Sequence, residues 1–189
     1  MFSAVTVKNL VSVDECEYIV RVAASVEPWE SGGNLFWDNR CLNAINIYKN
    51  INKEVGELLF DIRARIKSSI EAEYRLEVPV YPDLLQVVRW LPGMKQGPHA
   101  DDMKNTENNE RFHHRDYGAV LYLNNEYSGG KTYYPKFNTE VSPEIGMLAV
   151  HPGDEEHLHG VTEVADGVRY TLASFWTLDE KHFDGWSLS

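Results

Sequence analysis

Cysteine is scarce in this chain: Cys16 and Cys41 are the two among 189 residues, which excludes a disulfide framework. Long apolar runs are also missing. The longest stretches are a few residues, against the ~20 that a membrane-spanning helix needs. Positive charge is in deficit, with 18 Lys and Arg against 29 Asp and Glu and a net charge of −11. The basic residues form no run, so the sequence offers no surface of the kind that binds nucleic acid or anionic membrane. The opening MFSAVTVKNLVSVDE has no charged segment leading into an apolar one, as a secretory leader does. These absences lead to the expectation of a soluble, cytoplasmic protein without a nucleic-acid or membrane partner.

What is present suits one folded domain over residues 1–189. Hydrophobic residues make up 43% of the chain and aromatics 12%, enough for a core in a chain of this length. SVDECEYIVRVAAS pairs Ser12 with Glu15 as a capping box, and Val13, Cys16, Ile19, Val20 and Ala23 then recur at helical spacing. Cys16 falls on the apolar side, as a buried free thiol. A longer helix fits NKEVGELLFDIRARIKSSIEAEY, where Val55, Leu58, Leu59, Ile62, Ile66 and Ile70 form one stripe. From Pro79 the texture changes to short β-branched and aromatic runs between turns: LLQVVRW, YGAVLYLN, KTYYP, GMLAVH, HLHGV and VRYTLASFWT. Helices first and strands second argue against a parallel βαβ sheet. The expected architecture is mainly β: residues 1–78 form a helical support, and residues 79–178 a jelly-roll core with two helices on the outer face of one sheet.

The chemistry-bearing residues begin in PGMKQGPHADD. Residues two apart on an extended strand point the same way, so His99 and Asp101 can share one ion while Asp102 faces away. Two His and one carboxylate on one face are a ligand set for non-haem iron. HLHGVTEVADGVRY supplies the third candidate, but His157 and His159 have the same parity and spacing does not separate them. His113, His114, His151 and His182 offer no comparable pattern.

Strand parity marks two further residues. In VRYTLASFW, Arg169, Thr171 and Ala173 share one face, and Val168, Tyr170, Leu172 and Trp176 the other. A guanidinium turned into a barrel beside small residues needs an anion. Glu163 or Asp166 could supply it, and so could a bound carboxylate. In YGAVLYLNN, Ala119, Leu121 and Leu123 form the apolar face, which turns Tyr122 inward, either to pack or to offer its hydroxyl.

Taken together, these segments resemble the 2-oxoglutarate- and iron(II)-dependent oxygenases, in their prolyl 4-hydroxylase-like branch. The likeness runs from about Leu84 to Thr177. RWLPGMKQGPHADD is similar to the branch's approach to H-x-D, with Trp90 where a tyrosine is usual. AVLYLNNEYSGGKTYYP is similar to its strand, double-glycine turn and strand. HGVTEVADGVRYTLASFW matches its distal His, valines, glycine and arginine.

The resemblance selects His159 over His157 and implies His99, Asp101 and His159 as metal ligands. It implies Arg169 as anchor for the far carboxylate of 2-oxoglutarate, with Tyr122, Thr171 and Trp90 around the cosubstrate, and a double-stranded β-helix as the fold. Fe(II), 2-oxoglutarate and O2 are the implied cofactor and cosubstrates. The implied reaction hydroxylates an aliphatic C–H of a peptide, protein or small molecule, with peptidyl proline a candidate, and releases succinate and CO2. Gln96 stands where many relatives have a tyrosine. Two other readings compete: a cupin-like metal enzyme that uses no keto acid, and a jelly-roll binding module with incidental histidines. The loops containing SGGNLFWDNR and residues 103–116 are expected covers for the site.

Overall fold

The computed structural model describes residues 5–30, 35–102 and 112–188. The first expected cover therefore falls partly, and the second largely, outside the described residues. The chain is mainly β, with α-helices α1 (Val13–Ala24), α2 (Ala44–Asn46) and α3 (Lys53–Glu73). The strands are β1 (Val5–Val7), β2 (Cys41–Asn43), β3 (Tyr81–Trp90), β4 (Gln96–His99), β5 (Tyr117–Tyr122), β6 (Tyr127–Gly129), β7 (Thr132–Tyr134), β8 (Thr139–Glu140), β9 (Leu148–Pro152), β10 (His159–Val161), β11 (Val164–Gly167) and β12 (Arg169–Thr177). No helix among the described residues is long and apolar enough to cross a membrane.

α1 and α3 form where the sequence predicts them, whereas the single turn of α2 was not expected. Ser12 Oγ accepts from the Glu15 amide while the Glu15 carboxylate accepts from the Ser12 amide, so two free N–H groups at the start of α1 are satisfied. Asn52 caps α3 through the Val55 amide. Cys16 and Ile19 of α1, with Leu59, Ile62, Ile66 and Ile70 of α3, are fully buried.

The strands pair antiparallel. A six-stranded sheet runs β1-β9-β5-β12-β3-β2, a four-stranded sheet β4-β10-β7-β8, and β11 pairs with β6. β1 and β2 lie in the part of the sequence read as helical. Each has three residues, too few for a period to register. Each takes its conformation from an edge it joins, β1 on β9 and β2 on β3.

The six-stranded sheet separates two environments. One face carries Leu85, Val87, Leu121, Val150, Leu172 and Trp176, which pack with the helices into the largest apolar cluster. The other face meets the four-stranded sheet: Val88 and Trp90 cluster with Val161, and Tyr122 and Ala149 with Tyr134. A cavity of about 540 Å³, part of it open to solvent, lies on this second side.

Candidate metal centre

Register brings the two histidines together. β10 runs antiparallel to β4 with His159 directly opposite His99, and their ring centroids are 4.4 Å apart. Asp101 lies just past the end of β4. Its Oδ1 is 3.6 Å from His159 Nε2 and 3.9 Å from His99 Nε2. One donor atom from each of the three lies within 4.8 Å of the others, and this is the one metal-competent cluster of three found among the described residues.

Both imidazoles present the same nitrogen. His99 Nδ1 donates to the Gly97 carbonyl at 3.1 Å, and His159 Nδ1 to the His157 carbonyl at 3.2 Å. A carbonyl only accepts, so each Nδ1 carries a hydrogen, and in the neutral ring this leaves the Nε2 lone pair facing the cluster. Gln96 reaches the same point, with its amide nitrogen 3.3 Å from His99 Nε2.

Burial pushes the Asp101 carboxyl upward, but the imidazoles of His159, His151 and His99 outweigh it and hold the group below the usual carboxylate range. Burial, aided by His151, drives His159 well below the ordinary histidine value against the opposing pull of Asp101. A neutral imidazole at His159 beside an ionised Asp101 carboxylate suits a divalent cation.

His157 stays out of the cluster. It sits in a 3₁₀ turn, Glu155–His157, where its Nδ1 meets Asp154 Oδ1 at 2.7 Å. A shared face for His157 and His159 requires a continuous strand, and that turn interrupts it. Asp102 is buried but lies outside the three-residue group.

Arg169 lies across the cavity, 1% exposed. Its Nη2 donates to Thr132 Oγ1 at 3.4 Å, while its buried Nε has no partner among the described residues. Neither acidic candidate from the sequence reaches it: Glu163 is exposed and pairs with Lys95 at 3.1 Å, and Asp166 is exposed. Among the described residues no carboxylate is ion-paired to this guanidinium. Leaving a buried charge unpaired costs several kcal/mol, so the arrangement is that of a receptor for an anion.

Thr171 and Trp90 line the cavity, with the Trp90 ring centroid 5.3 Å from the guanidinium carbon. Tyr122 does not line it. Its hydroxyl donates to Thr132 Oγ1 at 2.8 Å, so it stands one residue behind the wall. Thr132 thus accepts from both Tyr122 and Arg169, which leaves its own hydroxyl hydrogen free to turn elsewhere. Beside them the buried Tyr127 hydroxyl has, among the described residues, no hydrogen-bond partner of regular geometry, though it lies close enough to Arg169 to feel its charge. Gly130, at φ +57°, passes close to the arginine stem: a Cβ there would lie 3.0 Å from Arg169 Cδ.

Three groups escaped the sequence reading. Thr132 and Tyr127 flank the double-glycine turn, and nothing in their spacing marks them. His151 was legible: in MLAVH, Leu148 and Val150 turn to the helices, so Ala149 and His151 turn to the other face, where His151 lines the cavity. Around the mouth, Trp37 joins the lining. The buried Arg40 guanidinium packs 4.2 Å from the Trp90 ring centroid and 5.1 Å from that of Trp37.

Comparison with known proteins agrees with this geometry. The sequence model of the 2OG-Fe(II) oxygenase superfamily matches residues 85–177. Prolyl 3-hydroxylase 1 of Gallus gallus is 26% identical over 211 residues, an alignment covering 94% of this chain and 29% of that protein. The chain thus spans under a third of the length of that relative. A putative prolyl 4-hydroxylase of Acanthamoeba polyphaga mimivirus is 28% identical, with 92% and 73% covered. Among solved structures, the viral collagen prolyl hydroxylase of Paramecium Bursaria Chlorella virus-1, determined as its 2OG complex, superposes with a TM-score of 0.69 at 16% identity. That match covers 94% of this chain and 97% of that one. Residues 85–177, just under half of the chain, match the 2OG-Fe(II) oxygenase superfamily, and in sequence and fold the chain is prolyl hydroxylase-like.

Proposed function

We propose that the protein is an iron(II)- and 2-oxoglutarate-dependent dioxygenase that hydroxylates proline within a peptide or protein. The observation that carries this reading is the buried Arg169, unpaired with any described carboxylate, in one cavity with the His99, Asp101 and His159 cluster. In this reading the two facing sheets are the family's double-stranded β-helix, residues 79–178 form its core, and residues 1–78 support it.

The residues present fit the absent groups. His99 Nε2, His159 Nε2 and one oxygen of Asp101 would hold Fe(II), which supplies the redox chemistry coupling O2 and 2-oxoglutarate to C–H hydroxylation, with succinate and CO2 released. Arg169 would take the distal carboxylate of the keto acid, assisted by the free hydroxyl hydrogen of Thr132. Tyr122 holds Thr132 in place from behind, and the Tyr127 hydroxyl is available beside the same guanidinium. Thr171 and Trp90 close the sides of this subsite.

Val88, Val161, Ala173 and Phe175 give the cavity apolar walls, which limit water around the reacting centre once a substrate covers its open side. Trp37 and Phe36 continue the aromatic wall outward from Trp90, an apolar edge suited to a peptide chain. The relatives named for prolyl hydroxylation, one of them for collagen, support proline as the target. A metal enzyme without a keto acid has no use for a buried guanidinium facing its metal, which disfavours the cupin-like alternative.

The test is turnover. Protein supplied with Fe(II), ascorbate, 2-oxoglutarate and proline-containing peptides should release succinate and add 16 Da at proline, with amino-acid analysis assigning the ring position. Hydroxylation of free proline but of no peptide would overturn the peptide assignment. Absence of any 2-oxoglutarate consumption across a peptide library would overturn the proposal.

A further inference from the structure

We propose that His151 is a positioning residue: backed by Tyr134, it fixes the Asp101 carboxylate so that one oxygen is occupied and the other is turned to His99 and His159. The inference rests on the metal-binding reading of that cluster and adds a residue to it.

Three observations converge. First, His151 Nε2 lies 3.0 Å from Asp101 Oδ2, whereas the Asp101 oxygen nearer the two cluster histidines is Oδ1. The two carboxylate oxygens therefore have separate partners.

Second, the far side of the ring is held as well. Tyr134 Oη is 2.9 Å from His151 Nδ1, and both side chains are buried, His151 at 1% exposure. The tyrosine hydroxyl donates to Nδ1, which leaves the hydrogen of the imidazole on Nε2, pointing at the carboxylate. With both nitrogens engaged, His151 has no lone pair to offer a metal. This makes it a positioning residue despite its 4.0 Å ring separation from His159.

Third, the backbone makes room for this contact. Gly118 of β5 pairs directly with His151 of β9. A Cβ at position 118 would lie 2.0 Å from Asp101 Oδ2 and 2.6 Å from His151 Nε2. A glycine inside a strand is a conformational cost, and here it opens the space in which carboxylate and imidazole meet. Asp101, at the end of one sheet, is thereby tied to β5 and β9 of the other. A carboxylate held through one oxygen binds a cation through the second and leaves more of the coordination sphere to other ligands.

The test uses Mn(II) as a redox-silent probe on the full chain, with free metal quantified by its electron paramagnetic resonance signal and the melting temperature of the metal-free protein read in parallel. His151→Phe should weaken Mn(II) binding by roughly 10- to 100-fold. His151→Gln, which restores an N–H donor, should recover most of that loss. Tyr134→Phe removes one hydroxyl, and it should weaken binding by less than His151→Phe but measurably.

If His151→Phe lowers the melting temperature yet binds Mn(II) like the wild type, His151 only packs and the inference is overturned. His151→Gln binding as poorly as His151→Phe would overturn the hydrogen-bond role. Should His151→Phe fail to fold, Tyr134→Phe decides, and unchanged Mn(II) affinity there would overturn the inference. Wild-type protein that binds no Mn(II), Co(II) or Fe(II) would instead overturn the metal-binding reading on which it rests.

Discussion

The two faces of the six-stranded sheet are made by the same strands and do opposite things. Along β12, Leu172, Ser174 and Trp176 turn to the helices, while Arg169, Thr171, Ala173 and Phe175 turn to the cavity. Along β9, Leu148 and Val150 face the helices and His151 faces Asp101. One face removes apolar surface from water and supplies stability. The other places a guanidinium with no carboxylate partner among the described residues, and a cluster of ionisable groups, in a partly closed space, an arrangement that is costly until ligands complete it. Stability and chemistry are thus separated by one residue of register, and a one-residue slip would exchange them.

Substitutions on the cavity face should break binding and spare the fold, and those on the helix face should do the reverse. The largest effect is expected from Asp101→Ala, which should remove Mn(II) or Fe(II) binding at any practical concentration while the protein still melts cooperatively. Arg169→Ala should weaken 2-oxoglutarate binding by roughly 30-fold or more, the usual consequence of truncating one partner of a buried charge pair. Metal affinity should stay near wild type, so parallel titrations with metal and with keto acid distinguish the two variants.

On the helix face, Ile62→Ala should cost about 2–5 kcal/mol in urea unfolding without altering metal affinity in the protein that remains folded. The smallest effect belongs to Glu15, whose pKa is held down at about 2 by its hydrogen bond to Arg65 and by the Ser12 cap, against the pull of burial. A depressed carboxylate stabilises above its unfolded pKa and loses that contribution as pH falls through the folded value. Glu15→Gln should therefore cost about 1 kcal/mol at pH 7. The gap from wild type should shrink between roughly pH 4.5 and pH 2.

The same contrast explains what could be read from the sequence. Periodic signals survive because burial enforces them: the stripe from Val55 to Ile70 and the alternation in VRYTLASFW describe the packed layer and its opposite face directly. His99 and Asp101 were legible as a pair because their spacing suits a short extended segment. His159 needed the family resemblance, since nothing periodic reports that Asp154 caps a turn and withdraws His157. β1 and β2 carry too few residues to show a period. Thr132 and Tyr127 gain their meaning from the double-glycine turn that carries them to Arg169, a contact made across the fold. His151 had the right parity in MLAVH, but its significance depends on Gly118, a neighbour in space 33 residues away in sequence.

The most direct test of the central claim, that the cavity face is built for iron and a keto acid, is anaerobic titration of the protein with Fe(II) and 2-oxoglutarate. The account predicts a visible metal-to-ligand charge-transfer band that requires both reagents, is absent in Asp101→Ala and His159→Ala, and needs much higher 2-oxoglutarate in Arg169→Ala. No band from the folded wild-type protein at saturating reagents, or an undiminished band in Asp101→Ala, would contradict it.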